Sequence, residues 1–285
     1  MVAVTAGTKV IQINEVNSID ILKERKRNMC SKELVTLDRP EKRISRVTLN
    51  RPEKRNALSP ELREALLARL LEAVADETTR AVIVTANGGH FSAGGDLASL
   101  AGIDAVAGRR RIKRGHEIVQ LILTSDKPII SAVEGYAMGA GAGLAIACDT
   151  VVVDKGTTVG FPFLKVGLGP DYGVSYTLMR RMTPGSARHA FLHAKNFSGE
   201  EAVACGLADE LAEAGNVQNR ALELAANLAS LPPHALALAK RQFVLAPADF
   251  DGAAEMEAMT QAICFEGKEF LEGVAAFTQK RRPKF

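Results

Sequence analysis

Tryptophan is absent from the 285 residues, and aromatic residues as a class make up only 5% of them. Platforms for base stacking are therefore scarce, and a net charge of +3 supplies no strong pull on a phosphate backbone, so a dedicated nucleic-acid binder is not expected. The chain also lacks an apolar run of membrane-spanning length, and no membrane role is expected. Its first residues show no apolar segment behind a charged start, and Glu15, Asp20 and Glu24 do not suit a transit peptide. The four cysteines, Cys30, Cys148, Cys205 and Cys264, have no Cys-x-x-Cys spacing. That usage fits buried free thiols in a reducing compartment, and a cytoplasmic location is expected. His189 and His193 stand one helical turn apart, but no third ligand is spaced to join them, so no metal is expected. Nucleotide fingerprints are missing too: the sequence has no G-x-x-x-x-G-K-[ST], and its alternating glycines do not give G-x-G-x-x-G.

What the chain does have is 47% hydrophobic and 24% charged residues, enough for a substantial core in one large domain or two. Residues 1–28, ending in the charged cluster Lys23–Arg27, read as a disordered extension, with Met29 as an alternative start. Strands are expected over Glu33–Leu37 and Ile44–Asn50, joined by a turn at Asp38–Lys42. Ser59 before Pro60, with leucines at 62, 66, 67, 70 and 71, predicts a capped amphipathic helix. Strand and helix signals alternate up to about residue 200 and helices follow, which gives an α/β fold with a helical C-terminal region. The boundary is placed at 200/201.

Two glycine-rich loops follow apolar strands. Val133–Asp149, VEGYAMGAGAGLAIACD, carries glycines at 139, 141 and 143. Residues without bulk there let a ligand approach backbone N–H groups at the start of a helix; small residues also serve close helix packing, so the stretch needs a partner. Asn87–Asp96 supplies one, because Gly94-Gly95 exposes backbone donors of its own, and two converging N–H groups are what an oxyanion hole requires. His90 reads as a loop residue. The run Arg109–Arg114, five cations in six residues, reads as a solvated helix face or as a device that steers anionic groups.

Four ordered segments, VTLNRPEKRNALS (47–59), AVIVTANGGHFSAGGDL (81–97), KPIISAVEGYAMGAGAGLAIACD (127–149) and EGVAAFTQKRRPKF (272–285), resemble the enoyl-CoA hydratase/isomerase, or crotonase, family. The resemblance implies a spiral of repeated ββα units over 29–200. It also implies that 201–285 form a helical trimerisation and lid region, in homotrimers that pair into hexamers. It further implies an acyl-CoA thioester substrate with no separate cofactor, and oxyanion donors at Gly95 and Ala140. Coenzyme A contacts are implied at Asp96, Leu97 and Ala98 and, from the C-terminal helix, at Phe277 and Lys280. Where a hydratase of the family carries its two glutamates, this chain has Gly143 and Phe163. Neither moves a proton, and adding water across a conjugated double bond takes a base for the water and an acid for C2.

Asp171, in GLGPDYG, is the remaining candidate. As a residue it is a natural N-cap for the helix that follows; by resemblance it matches the acid/base aspartate of family isomerases, closest in pattern to the 1,2-epoxyphenylacetyl-CoA isomerase branch. Phe161, Phe163 and Tyr172 nearby predict desolvation and a raised pKa. The expectation is an acyl-CoA isomerase with Asp171 as its one proton-transfer group. A ring-epoxide isomerase, a weak hydratase and a catalytically silent acyl-CoA binder are the alternatives.

Overall fold

The chain enters the sheet through a hairpin, in which β1 (Val35–Glu41) pairs antiparallel with β2 (Ile44–Leu49). The turn is shorter than expected, because β1 continues through Pro40. It is an edge strand, where the missing proline N–H removes no ladder bond. The register shifts between Asp38 and Glu41, and Arg43 closes the turn at a φ of 68°. The computed structural model describes residues 33–285 except 246 and 248; the expected extension over 1–28 and the alternative start at Met29 lie outside them.

Helix α1 (Pro60–Ala75) begins as its sequence demands, with Ser59 Oγ accepting the Leu62 N–H at 3.3 Å. Its Leu62, Leu66 and Leu70 are wholly buried, each contributing about 1.5–3 kcal/mol. The next strand, β3 (Ala81–Ala86), alternates between two cores. Val82 and Val84 face the α1 side, while Ala81 and Ile83 face the opposite layer, as the two-residue period of a strand requires.

Helix α2 (Ala105–Thr124) leads to β4 (Ile129–Ala132), β5 (Tyr136–Met138) and α3 (Ala140–Ile146). The strand–strand–helix unit then recurs as β6 (Thr150–Asp154), β7 (Thr158–Gly160) and α4 (Val174–Arg181). After α5 (Pro184–Leu192) come β8 (Asn196–Ser198), α6 (Gly199–Ala204), β9 (Glu210–Ala212) and α7 (Val217–Ala229). The main sheet runs β1-β2-β3-β4-β6-β9, parallel everywhere except its first pair. A small second sheet, β5-β7-β8, stands at the end of the strands that lead into the glycine-rich loops. The α/β expectation holds.

Strand β9 and helix α7 lie beyond the expected boundary at 200, yet they complete the main sheet. β9 is its last strand, and Val217, Ala221 and Ala225 of α7 cover its second face. The purely helical part begins with α8 (Pro233–Leu245), followed by α9 (Phe250–Phe265) and α10 (Lys268–Thr278). Lys240 ties α8 to Asp149, just before β6, at 2.7 Å and to the Ile122 carbonyl of α2 at 2.9 Å. Among the described residues no helix is long and apolar enough to cross a membrane.

Candidate active site

Backbone bonds bring the two glycine-rich loops together. Ser92 donates its N–H to the Tyr136 carbonyl at 2.8 Å and accepts that of Met138 at 2.9 Å, a parallel bridge centred on Ala137. Gly95 and Ala140 each lie three residues beyond that bridge. The approach leaves no room for side chains. A Cβ on Gly94, which has a φ of 94°, would stand 2.5 Å from the Met138 carbonyl oxygen and 3.6 Å from the Ala140 nitrogen. A Cβ on Gly141 would meet Ser92 Cβ at 2.6 Å. Gly139 donates to the Gly160 carbonyl at 2.9 Å. The Gly95 and Ala140 amides have no acceptor among the described residues, and Ala140 is the first residue of α3, where helix geometry supplies none.

Asp96 follows Gly95 and is fully engaged. Arg51 donates to it at 2.7 Å and to the Ala57 carbonyl at 3.1 Å, and Arg51 holds the Asp96 carboxyl below its ordinary range. Asp96 thus anchors the loop that carries Gly95. Leu97 and Ala98 are exposed on the short 3₁₀ turn that comes next.

Asp171 is the opposite case. It does not cap α4, whose N-cap is Gly173, in the left-handed conformation and without a side-chain bond; the capping reading is corrected. Tyr172 and Gly173, at φ 48° and 68°, turn the chain so that the helix starts late and the carboxyl faces inward. Its Oδ1 is buried with no hydrogen-bond partner. Burial pushes its pKa up to about 6, against the pull of Arg111 first and Arg63 second.

The two positions expected to hold glutamates in a hydratase are closed. A Cβ on Gly143 would lie 2.8 Å from Tyr172 Cβ and 2.9 Å from Val174 Cγ2. Phe163 is buried and stacks on Phe191 with ring centroids 5.8 Å apart. Tyr172 takes up the space that such a side chain would need, and Gly115 on α2 makes way for its ring: a Cβ there would stand 2.7 Å from Tyr172 Cε2.

Arg63, not singled out from the sequence, and Arg111, read there only as part of the basic run, complete the surroundings. Arg63 on α1 is 6% exposed, its Nε is buried without a partner, and it acts on the charge of Tyr172, Asp171 and Arg111 alike. A buried polar atom left without a hydrogen-bond partner costs about 1–3 kcal/mol. Arg111 donates through Nη1 to Ser99 Oγ at 2.8 Å, and its Nη2 lies 3.8 Å from a Cβ placed on Gly95. The signal was present: 63, 66, 67 and 70 share one helical stripe, and Arg111 precedes buried Gly115 by one turn. The rest of the basic run differs. Arg109, Arg110 and Lys113 are exposed, and Arg114 pairs with Glu64 and Glu117.

Phe277 and Lys280 are not gathered into this pocket by the single chain. Phe277 is 87% exposed on α10 and Lys280 is exposed just past it, on a helix whose main packing partner is α9. His90 stacks on Tyr136 at 4.7 Å in the loop.

The Gly95 and Ala140 amides without acceptors and the Asp171 carboxyl with its buried, unpartnered oxygen are carried on a mainly parallel sheet of ββα turns. Residues 39–285 match the enoyl-CoA hydratase/isomerase family, and the chain belongs to it, with the crotonase fold. Among its relatives is the 2,3-dehydroadipyl-CoA hydratase of Escherichia coli, 32% identical over 255 residues, 88% of this chain and 94% of that protein. The short-chain-enoyl-CoA hydratase of Clostridium acetobutylicum is 29% identical over 94% of this chain and 97% of its own length. The crystal structure of an enoyl-CoA hydratase from Polaromonas sp. JS666 superposes with a TM-score of 0.83 at 31% identity, covering 88% of this chain and 98% of that one. The family acts on acyl-CoA thioesters, and the names of these relatives lean to hydratase.

Proposed function

We propose that this protein is an acyl-CoA isomerase that moves a double bond from C3 to C2 of an enoyl thioester, with Asp171 as its single proton-transfer group. The observation that carries the reading is Asp171 Oδ1, buried without a partner on a carboxyl whose pKa burial brings up to about 6. A base of that strength is largely ionised at neutral pH and still holds a proton long enough to return it.

Isomerisation asks for less than hydration does. One base removes a proton from C2, the Gly95 and Ala140 amides hold the dienolate oxygen, and the same carboxylic acid protonates C4 on the same face. Each oxyanion donor contributes about 3 kcal/mol to such a step. No water has to be activated, which suits a chain in which Gly143 is packed against Tyr172 Cβ and Val174 and buried Phe163 stands in place of a second carboxylate. Phe277 and Lys280 are proposed to reach the CoA portion from a neighbouring subunit of a trimer.

The test is an absorbance time course with 3-enoyl-CoA thioesters of several chain lengths. The expected result is growth of the conjugated 2-enoyl thioester with wild-type protein and its loss in Asp171→Asn. Binding without turnover, unaffected by that substitution, would replace the isomerase with a silent acyl-CoA binder.

A further inference from the structure

Asp171 is not alone in lacking a partner. Arg63 Nε and Tyr172 Oη are also buried and unpartnered, and the Arg63 side chain donates no hydrogen bond to any described residue. Arg111 uses one nitrogen, on Ser99, and keeps the other beside Gly95. Four polar side chains therefore converge without hydrogen bonds among themselves.

Their charges do not cancel. Two guanidinium groups face one carboxyl, since Asp96 is committed to Arg51. Burial, followed by the like charge of Arg63, holds Arg111 below its ordinary pKa. Like charges gathered beside one carboxyl call for an anion, and a carboxylate suits the planar fork of an arginine. A thioester substrate with a plain hydrocarbon tail leaves Arg63 Nε as it stands, buried without an acceptor.

We propose that the acyl pocket recognises a second carboxylate at the far end of the acyl chain, so that the substrates are mono-CoA thioesters of unsaturated dicarboxylic acids, with Arg63 and Arg111 as the specificity-determining residues. Bound there, the carboxylate brings the pocket to neutrality and supplies the acceptors that Arg63 lacks. Arg111 lies beside Gly95, the proposed oxyanion donor, so the chain between the two carbonyl carbons is short, as in a hexenedioyl group. This rests on the reading of Gly95, Ala140 and Asp171 as the reacting site.

Binding of non-reacting thioesters tests it without relying on turnover. Calorimetry with the mono-CoA thioester of adipic acid, hexanoyl-CoA and 6-hydroxyhexanoyl-CoA separates charge from size and polarity. The adipoyl thioester is expected to bind roughly tenfold tighter or better than the other two. That preference is expected to fall toward unity in Arg63→Met and Arg111→Met and to persist in part in Arg63→Lys. Arg111 is the half-exposed member, so its variant keeps the test open if Arg63→Met does not fold. Equal affinity for all three thioesters, or a preference untouched by Arg111→Met, overturns the proposal. If the preference is found but no double bond moves in hexenedioyl-CoA, the isomerase reading fails and the anion site stands.

Discussion

Asp96 and Asp171 are carboxylates of the same site, each just past a turn rich in glycine, and the fold treats them oppositely. Asp96 receives Arg51 at 2.7 Å and is held ionised; Asp171 has a buried oxygen with no donor and is pushed toward its neutral form. A loop anchor needs its charge satisfied, whereas a group that must give up and take back a proton is served by having hydrogen bonds withheld.

The largest expected effect that sharpens this contrast is on turnover. Asp171→Asn should lower kcat by roughly 10²–10⁴-fold with an unchanged circular dichroism spectrum, while Asp96→Asn should retain far more activity; equal losses in the two variants would erase the distinction. Next comes an attempt to rebuild a hydratase. Gly143→Glu is expected to cost about 1–3 kcal/mol of stability in urea unfolding, because Tyr172 and Val174 occupy its space, and to yield no hydrated product from 2-enoyl-CoA. A smaller effect, about 1 kcal/mol after screening by solvent, is expected for Asp96→Asn in the same assay.

The pH dependence of stability should also differ in sign. The Asp171 pKa is raised on folding, so wild-type protein should lose stability relative to Asp171→Asn as pH rises from about 4 to about 6, with the difference constant above that. The Asp96 pKa is lowered, so its contribution is present above the ordinary carboxylate range and is lost as pH falls through the lowered value. Thermal melts across that range check both directions. For activity, kcat/KM should rise with pH through about 6 as Asp171 ionises.

Much of the frame was legible in the sequence, because local rules and tertiary packing agree there. Ser59-Pro60 starts a helix where it should, and β3 alternates into two cores. The two glycine loops were readable as a pair because glycine is required where backbones approach this closely, as Gly94 and Gly141 show. Asp171 was ambiguous for a physical reason: a carboxylate before a helix is equally suited to capping it, and only the left-handed conformations of Tyr172 and Gly173 turn the side chain inward. Arg63 escaped notice because an arginine on a leucine stripe reads as a flank of that stripe. Its burial depends on α2 and on Tyr172, both distant in sequence. A short strand between Ala208 and the helix from Val217 was legible, but not that it closes the main sheet as β9, because a three-residue strand carries no signal of which strand it pairs with.

The most direct measurement is the mass of the product that the wild-type protein forms from a 3-enoyl-CoA in water enriched in oxygen-18. An isomer of unchanged mass, free of the heavy oxygen, is the expected result, because one carboxylate moves protons and activates no water. A product heavier by one labelled water would contradict it and would mean that a second proton-transfer group acts in this site.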